Sequence, residues 1–177
     1  MNTLSSIGKV DSSLQYPSLG LPSSRQSQTG QEPLKVVLLE DDDVDAELLH
    51  RLLSQAWCDG DIELTIFSLV ADFEEGIKSL EPDVVFCDMS LPDGRGLTVV
   101  ERAVQAAGLT PVVVLTSNAD PAAPELALGV GAQDYLSKGQ FDSETLARTL
   151  RHSIARTAAI REVQRIDRDL LQLNAEL

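Results

Sequence analysis

Short apolar runs alternate with longer amphipathic segments between residue 33 and about residue 156. The run at 84–87 is unbroken, which is typical of a strand buried on both faces of a parallel sheet. Residues 62–67 instead alternate between apolar and polar side chains, as a half-exposed strand does. The pattern predicts five strands, at residues 34–39, 62–67, 84–87, 111–117 and 132–137.

A helical segment follows each predicted strand. Either Asp43 or Asp45 can cap the first helix, because a carboxylate before a helix accepts hydrogen bonds from its free N–H groups. Pro82 ends the second helix, and the Asp120–Pro121 pair begins the fourth. The predicted helices cover residues 44–56, about 73–80, 97–107, 121–129 and 143 onward.

Five strands alternating with five helices indicate an α/β fold, because parallel strands need long crossover connections. Right-handed crossovers place helices on both faces of the sheet. We therefore expect a flavodoxin-like, doubly wound, five-stranded parallel sheet whose order reverses between the first and third strands. The last helix is expected to continue beyond this domain as a coiled coil.

Polar side chains stand at the ends of four predicted strands. Glu40 and Asp41 follow the first strand, and Asp88 follows the third. Thr116 lies at the end of the fourth strand, and Lys138 comes after the fifth. Parallel strands end at one edge of the sheet, where open α/β sheets bind ligands, so these five side chains are expected to converge. Taken alone, Asp88 could equally begin a turn.

Three carboxylates at one sheet edge repel one another, and a hard divalent cation relieves that repulsion. Mg2+ fits best, because it takes one or two carboxylates and is completed by waters and phosphate oxygens. With a lysine and a hydroxyl nearby, the set suits phosphoryl transfer. The chain has no glycine-rich phosphate loop, and His50 and His152 lie on predicted helices. A carboxylate would then accept the phosphoryl group, and Asp88 is the candidate.

The chain of 177 residues is strongly acidic, with a net charge of -14. Direct binding to nucleic acid is not expected, because phosphate backbones are bound through clustered Lys and Arg. No apolar run reaches the length of a membrane span, and Cys58 and Cys87 lack the spacing of a metal site. We expect a cytoplasmic protein without membrane association. Residues 1–33 are predicted to form a flexible tail, because they are rich in Ser, Gln, Gly and Pro.

Four blocks of the sequence together resemble the receiver domain of two-component response regulators. Their order and spacing are those of the family, and the resemblance spans residues 34–156. One departure is the glycine after Lys138, where many receivers have proline. The blocks run from Lys35 to Asp42, from Pro82 to Gly94, from Pro111 to Ser117 and from Gly131 to Lys138.

The resemblance implies the chemistry of the sheet edge. Asp88 would accept a phosphoryl group from a phosphohistidine of a sensor histidine kinase or phosphotransfer protein. Asp41 and Asp88 would bind Mg2+ directly and Glu40 through water, while the backbone carbonyl of Ser90 would complete the protein ligands. Lys138 would pair with the phosphoryl group.

The resemblance also implies residues that respond to phosphorylation. Thr116 would close on the phosphoryl group, and Tyr135 matches the switch aromatic that turns inward as Thr116 moves. Ser90 and Asn118 occupy positions that tune dephosphorylation in the family. From the residues alone, Tyr135 could also be a core aromatic, and Ser90 could be a turn residue.

The last predicted helix contains neither Gly nor Pro from Ser143 onward. Beyond the domain its apolar residues alternate in spacing between four and three, which is a heptad pattern. We predict that residues 157–177 pair in parallel with a second copy; the alternative is a single helix folded back on its own domain. The pattern runs to the last residue, so either an output module such as a diguanylate cyclase followed originally, or the helix pair is the output. The apolar positions are Ala159, Val163, Ile166, Leu170, Leu173 and Leu177.

These observations predict a phosphorylation-controlled receiver that dimerises and signals through its C-terminal helix. Apart from catalysing its own phosphorylation and dephosphorylation, it would not be a dedicated enzyme. An alternative is a constitutive dimerisation module whose acidic pocket is not used. A phosphatase of the haloacid dehalogenase kind is disfavoured, because it needs an acid two residues after the nucleophile, where Ser90 stands.

Overall fold

Seven strands and five helices make up the computed structural model, which describes residues 32–117 and 122–175, with side chains to residue 172. The strands are β1 (Leu34–Leu39), β2 (Ile62–Phe67), β3 (Val84–Asp88), β4 (Ser90–Leu91), β5 (Gly94–Arg95), β6 (Val112–Thr116) and β7 (Asp134–Ser137). The helices are α1 (Asp43–Ala56), α2 (Val70–Leu80), α3 (Leu97–Ala107), α4 (Ala123–Gly129) and α5 (Ser143–Ala175).

Five of the strands form one parallel sheet in the order β2-β1-β3-β6-β7. Because β1 lies between β2 and β3, the order reverses between β1 and β3, and the predicted flavodoxin-like arrangement is confirmed. Every residue of β3 and β6 is buried, as their continuous apolar sequences indicated. The carboxyl ends of β1 and β3 therefore meet at a crevice on one edge of the sheet.

Alternate side chains of the central strands serve two separate hydrophobic clusters. Leu38 of β1 packs in one cluster with Leu53 of α1 and Leu150 of α5. Its neighbour Leu39 packs in the other with Phe73 of α2, on the opposite face of the sheet. The helices thus cover both faces of the sheet.

Helix α1 begins one residue earlier than expected, and the prediction that Asp43 or Asp45 caps it is wrong. Asp42 is the cap, because its backbone is still extended and its Oδ1 accepts hydrogen bonds from the N–H groups of Val44 and Asp45, at 2.9 and 3.0 Å. Asp45 is thereby left free for another role. At the start of α5, where the sequence offers Asp142 or Ser143 as the cap, Asp142 accepts a hydrogen bond from the N–H of Thr145 at 2.8 Å.

The segment after β3 contains a short hairpin. Strands β4 and β5 pair in antiparallel register, with Pro92 and Asp93 as the two residues that connect them. The carboxylate of Asp93 accepts hydrogen bonds from the N–H groups of Val70 and Ala71 at the start of α2, at 3.0 and 2.9 Å. Gly96 ends the hairpin in a left-handed conformation, with φ of 65°, which glycine adopts without strain.

Helix α5 is 33 residues long and has two unlike halves. Its first half packs against the sheet and α1, and Thr157 is its last buried residue. Every residue from 158 to 172 is exposed, so the alternative of a helix folded back onto its own domain is not observed. The predicted start of α4 at Asp120 and Pro121 lies outside the described residues. No helix in the described ranges is long and apolar enough to cross a bilayer.

Candidate functional site

An open cavity of about 320 Å³ lies at the crevice where β1 and β3 end. A larger cavity of about 550 Å³ opens between α2, α3 and α5, near the loops that precede β3 and β6, but no cluster of carboxylates lines it. The smaller cavity is therefore the candidate functional site, because it is the one that a cluster of carboxylates lines. Its lining residues are Glu40, Asp41, Asp42, Asp45, Asp88, Ser90, Leu91, Pro92, Arg95 and Lys138.

Three carboxylates converge in this cavity. One oxygen from each of Glu40, Asp41 and Asp88 lies within 4.8 Å of the others. Glu40 and Asp88 are only 2% and 8% exposed, whereas Asp41 is open to solvent. Oxygen donors from carboxylates, with one side left open for water, are the ligands that Mg2+ prefers. The residues present therefore fit a magnesium ion.

Lys138 balances the charge of the buried carboxylates. Its Nζ donates hydrogen bonds to Glu40 at 2.7 Å, to Asp45 at 2.7 Å and to Asp88 at 2.8 Å. An ammonium group has three N–H bonds, so each is directed to a different carboxylate. Burial by itself lowers the pKa of Lys138, but the bonds to Asp45, Asp88 and Glu40 outweigh it and raise this pKa above its ordinary value.

Burial also shifts two acidic groups beside the cavity. The pKa of Glu40 is raised above its usual range because the carboxylate is removed from water, although the hydrogen bond from Lys138 opposes this change. Burial likewise raises the pKa of the Cys87 thiol in β3, and the charges of Asp88 and Glu40 add to the effect. Cys87, which is fully buried, is therefore an unreactive core residue.

The backbone of the strand-end loops supports this arrangement. The N–H of Asp42 donates to Glu40 Oε1 at 3.2 Å, and the N–H of Ser90 donates to Asp88 Oδ1 at 3.3 Å. The N–H of Lys138 donates to the carbonyl of Thr116 at 2.8 Å, which ties the lysine loop to the end of β6. Each buried carboxylate thus has one oxygen on a backbone N–H and the other on Lys138.

The remaining predicted site residues lie around this centre. Ser90 lines the cavity, and Thr116 is buried at the end of β6 but does not line it. Tyr135 is 38% exposed in β7 and so is not packed in the core. Asn118 lies outside the described residues. The two histidines, which the sequence placed away from the site, are exposed on helices.

Three further residues have contacts at or near the site that the sequence did not predict. Asp45 was considered only as a helix cap, yet it forms an ion pair with Lys138. The sequence predicted no contact for Asp93 or Arg95, yet Asp93 caps α2 and Arg95 lines the cavity. Asp93 and Arg95 gave only a weak signal in the sequence, because charged residues are common in turns. The path of the hairpin places Asp93 at the start of α2 and Arg95 at the cavity.

A doubly wound parallel sheet with an acidic, lysine-paired site at its reversal point defines a flavodoxin-like α/β protein. Comparison with known proteins makes the class specific. Residues 36–151 match the response regulator receiver domain, so the chain belongs to that family. A receiver domain is not a dedicated enzyme, and its family works with histidine kinases or phosphotransfer proteins.

Individual relatives agree with this assignment. The chain is 32% identical over 115 residues to the transcriptional regulatory protein GltR of Pseudomonas aeruginosa, an alignment that covers 64% of this chain and 46% of GltR. A response regulator from Chloroflexus aurantiacus has a TM-score of 0.61 at 28% identity, covering 70% of this chain and 99% of that one. The receiver domain of the sensor histidine kinase PA1611 from Pseudomonas aeruginosa, solved with a magnesium ion in its active-site cleft, has a TM-score of 0.59 at 22% identity, covering 70% and 99%. The chain spans less than half the length of the first curated relatives it matches.

Proposed function

We propose that the protein accepts a phosphoryl group on Asp88 from a phosphohistidine of a sensor histidine kinase or a phosphotransfer protein. The observation that carries the proposal is the position of Asp88, whose carboxylate belongs to the acidic cluster and also contacts Lys138. Asp88 is the only member of that cluster on β3, where it faces the open cavity at the sheet edge. In this position the Asp88 carboxylate contacts the ammonium group of Lys138, and it can be reached by a phosphodonor through the open cavity.

The transfer needs no proton from the protein. A carboxylate oxygen of Asp88 forms a bond to phosphorus while the bond between phosphorus and the imidazole nitrogen breaks. The imidazole leaves with that electron pair and takes up a proton from solvent. Lys138 exchanges its hydrogen bond with Asp88 for one with a phosphoryl oxygen. Its positive charge is then paired with the negative charge of the phosphoryl group.

Mg2+ is part of this proposal. Asp41 and Asp88 would hold the ion directly, Glu40 through water, and the carbonyl of Ser90 would complete the protein ligands. When bound, the ion neutralises charge on the phosphoryl oxygens and relieves the repulsion between the carboxylates. The magnesium ion in the PA1611 receiver domain, a protein of the same fold, supports this assignment.

The response to phosphorylation is proposed to involve Thr116 and Tyr135. Thr116 lies on the strand beside Asp88, since Asp88 and Leu115 are partners in the parallel pairing of β3 with β6. Its hydroxyl would close on the phosphoryl group, and Tyr135, now partly exposed, would turn inward. Ser90 and Asn118 would tune the rate at which the group is lost.

The output is proposed to pass through α5 into a parallel pair with a second copy. Exposed apolar side chains on the second half of α5 support this, because such a stripe is stabilised when another helix covers it. The greater length of the relatives is consistent with an output module beyond this helix. The domain limits (tail 1–33, receiver 34–156, coiled-coil extension 157–177) stay predictions, as do the cytoplasmic location and the absence of nucleic acid binding. The side chains of the pairing stripe that are described are Ala159, Val163, Ile166 and Leu170.

The test is phosphorylation of the purified chain with acetyl phosphate and Mg2+, read by intact-mass spectrometry. We expect one phosphoryl group per wild-type chain and none on Asp88→Asn. The matched control is Asp59→Asn, which removes an exposed carboxylate that does not line the cavity and should leave the label unchanged. Full labelling of Asp88→Asn would assign the acceptor to another residue.

A further inference from the structure

Arg95 is the second basic residue of the cavity that contains Asp88. Five residues with carboxylates line that cavity, but only two basic ones do, Lys138 and Arg95. The three N–H bonds of Lys138 are all directed to carboxylates. Arg95 is exposed and forms no ion pair with any carboxylate of residues 32–117 and 122–172. Its guanidinium is therefore available to an anion that enters the cavity.

The hairpin fixes Arg95 relative to the acceptor. Arg95 and Ser90 are partners in the antiparallel register of β4 and β5, so their side chains project from the same face of the hairpin, with Cβ atoms about 5 Å apart. Ser90 in turn lies two residues after Asp88 and donates its N–H to Asp88 Oδ1. One strand pair thus connects the guanidinium to the end of β3.

Charge in the cavity gives this arrangement a consequence. A phosphodonor is an anion, and it must approach a site whose carboxylates outnumber its basic residues. A guanidinium matches phosphoryl oxygens with two parallel N–H bonds, which a single ammonium group cannot do. Arginine is therefore well suited to meet the donor at the mouth of the cavity.

We propose that Arg95 is a phosphoryl-binding residue, which holds the outer oxygens of the donor's phosphoryl group while Asp88 attacks. The inference rests on the function proposed above, and it adds a second basic residue that binds the phosphoryl group of the donor. With acetyl phosphate, an Asp88 oxygen bonds to phosphorus, the bond from phosphorus to the acetyl oxygen breaks, and acetate leaves with the electron pair. Arg95 makes and breaks no covalent bond in this step.

The test compares Arg95→Gln, Arg95→Lys and the matched control Arg51→Gln. Arg51 is exposed on α1, outside the cavity, and its loss changes the net charge equally. The initial rate of Asp88 phosphorylation by acetyl phosphate, with saturating Mg2+, is measured by intact mass at several ionic strengths. Melting temperatures check that each variant is folded.

We expect Arg95→Gln to lower the rate about tenfold at low salt, because a local positive charge raises the encounter rate with an anion. The difference in rate between wild type and Arg95→Gln should become smaller at higher salt, because ions then screen the charge of Arg95 over a shorter distance. Arg95→Lys should fall between wild type and Arg95→Gln, since it keeps the charge but not the planar fork. Arg51→Gln should match wild type within about twofold, as expected for an exposed side chain whose ion pair contributes little.

Two results would overturn the inference in distinguishable ways. Equal rates for Arg95→Gln and Arg51→Gln, with Asp88 labelled in both, reject the role of Arg95 and leave the proposed function intact. A wild-type chain that takes up no phosphoryl group at Asp88 rejects the proposed function, and the role of Arg95 with it.

Discussion

The three clustered carboxylates differ in what balances their charge. Glu40 and Asp88 are buried, and both accept hydrogen bonds from Lys138. Asp41 is exposed and forms no ion pair with a described basic residue, so without a metal ion its charge only adds repulsion. Its contribution to the fold and its contribution to metal binding should therefore have opposite signs.

We expect Asp41→Asn to raise the free energy of unfolding in metal-free buffer by about 1 kcal/mol, the size of the repulsion between two charges at this separation in water. The same change should remove most of the stabilisation by Mg2+, which for wild type is about 2.7 kcal/mol at a hundred times the dissociation constant. Urea unfolding with and without Mg2+ measures both effects. Asp59→Asn is the control, and an Asp41→Asn variant that keeps the full gain from Mg2+ would contradict the assignment.

Four site residues could be placed from the sequence because they directly follow apolar strands. Glu40, Asp41, Asp88 and Lys138 line one cavity for that reason. Asp45 could not be placed in this way, because its direction depends on where α1 begins and how the helix is rotated. Once Asp42 takes the cap, Asp45 lies in the first turn of α1 and reaches Lys138.

Helix α2 shows how one element depends on another that is distant in sequence. Leu69, the residue before this helix, provides no side-chain cap, and Asp93 of the hairpin accepts the hydrogen bonds instead. Arg102 of α3 adds a paired contact, with two hydrogen bonds to Glu74 of α2 at 2.8 and 2.7 Å. The hairpin after Asp88 is thus connected to α2 as well as to the site.

We expect Asp93→Ala to lower the free energy of unfolding at pH 7 by about 1 kcal/mol, as the loss of a helix cap does. Slight burial of the Asp93 carboxylate raises its pKa. The hydrogen bonds from the N–H groups of Ala71 and Val70 outweigh this effect and hold the pKa of Asp93 below its usual range. The stabilisation is therefore complete above about pH 4, and it is lost as the pH falls through the lowered pKa of the folded state.

Urea unfolding at pH 7 and pH 3 measures this dependence. Glu75→Ala is the control, because Glu75 is an exposed carboxylate on the same helix and does not cap it. The difference in free energy between wild type and Asp93→Ala should shrink at the lower pH. A difference that stays constant between the two pH values would show that the carboxylate charge of Asp93 does not stabilise the helix.

The whole molecule consists of a packed domain and a helix that leaves it. The core ends on α5 at Thr157, and the later turns of the helix expose Val163, Ile166 and Leu170 at 60, 46 and 54%. A single helix gains little stability from such side chains in water, whereas a second helix would bury them. A substitution in the exposed stripe should therefore affect the proposed pairing and leave the stability of the domain unchanged.

We expect the wild-type chain to form dimers in sedimentation equilibrium and Ile166→Asp to be monomeric, with the domain's melting transition unchanged. A charge in the pairing stripe must be desolvated on dimerisation, which is costly without a partner. The control is Gln164→Asp, an exposed position on the same helix outside the stripe. A wild-type chain that stays monomeric with and without acetyl phosphate would reject the dimer, and a dimer indifferent to phosphorylation would favour the constitutive module.

The sequence by itself determined the sheet, its order and the carboxylates, lysine and threonine at the strand ends. Buried parallel strands need continuous apolar residues, and they place the polar side chains at their carboxyl ends along one edge of the sheet. The bounds predicted from the sequence for β2 and α3 agree with the structure to the residue. Only the tertiary structure decided that Asp45 meets Lys138, that Asp93 caps α2 and that Arg95 opens onto the cavity. Each of these contacts joins elements whose relative position depends on packing and hairpin register, which no local pattern of residues records.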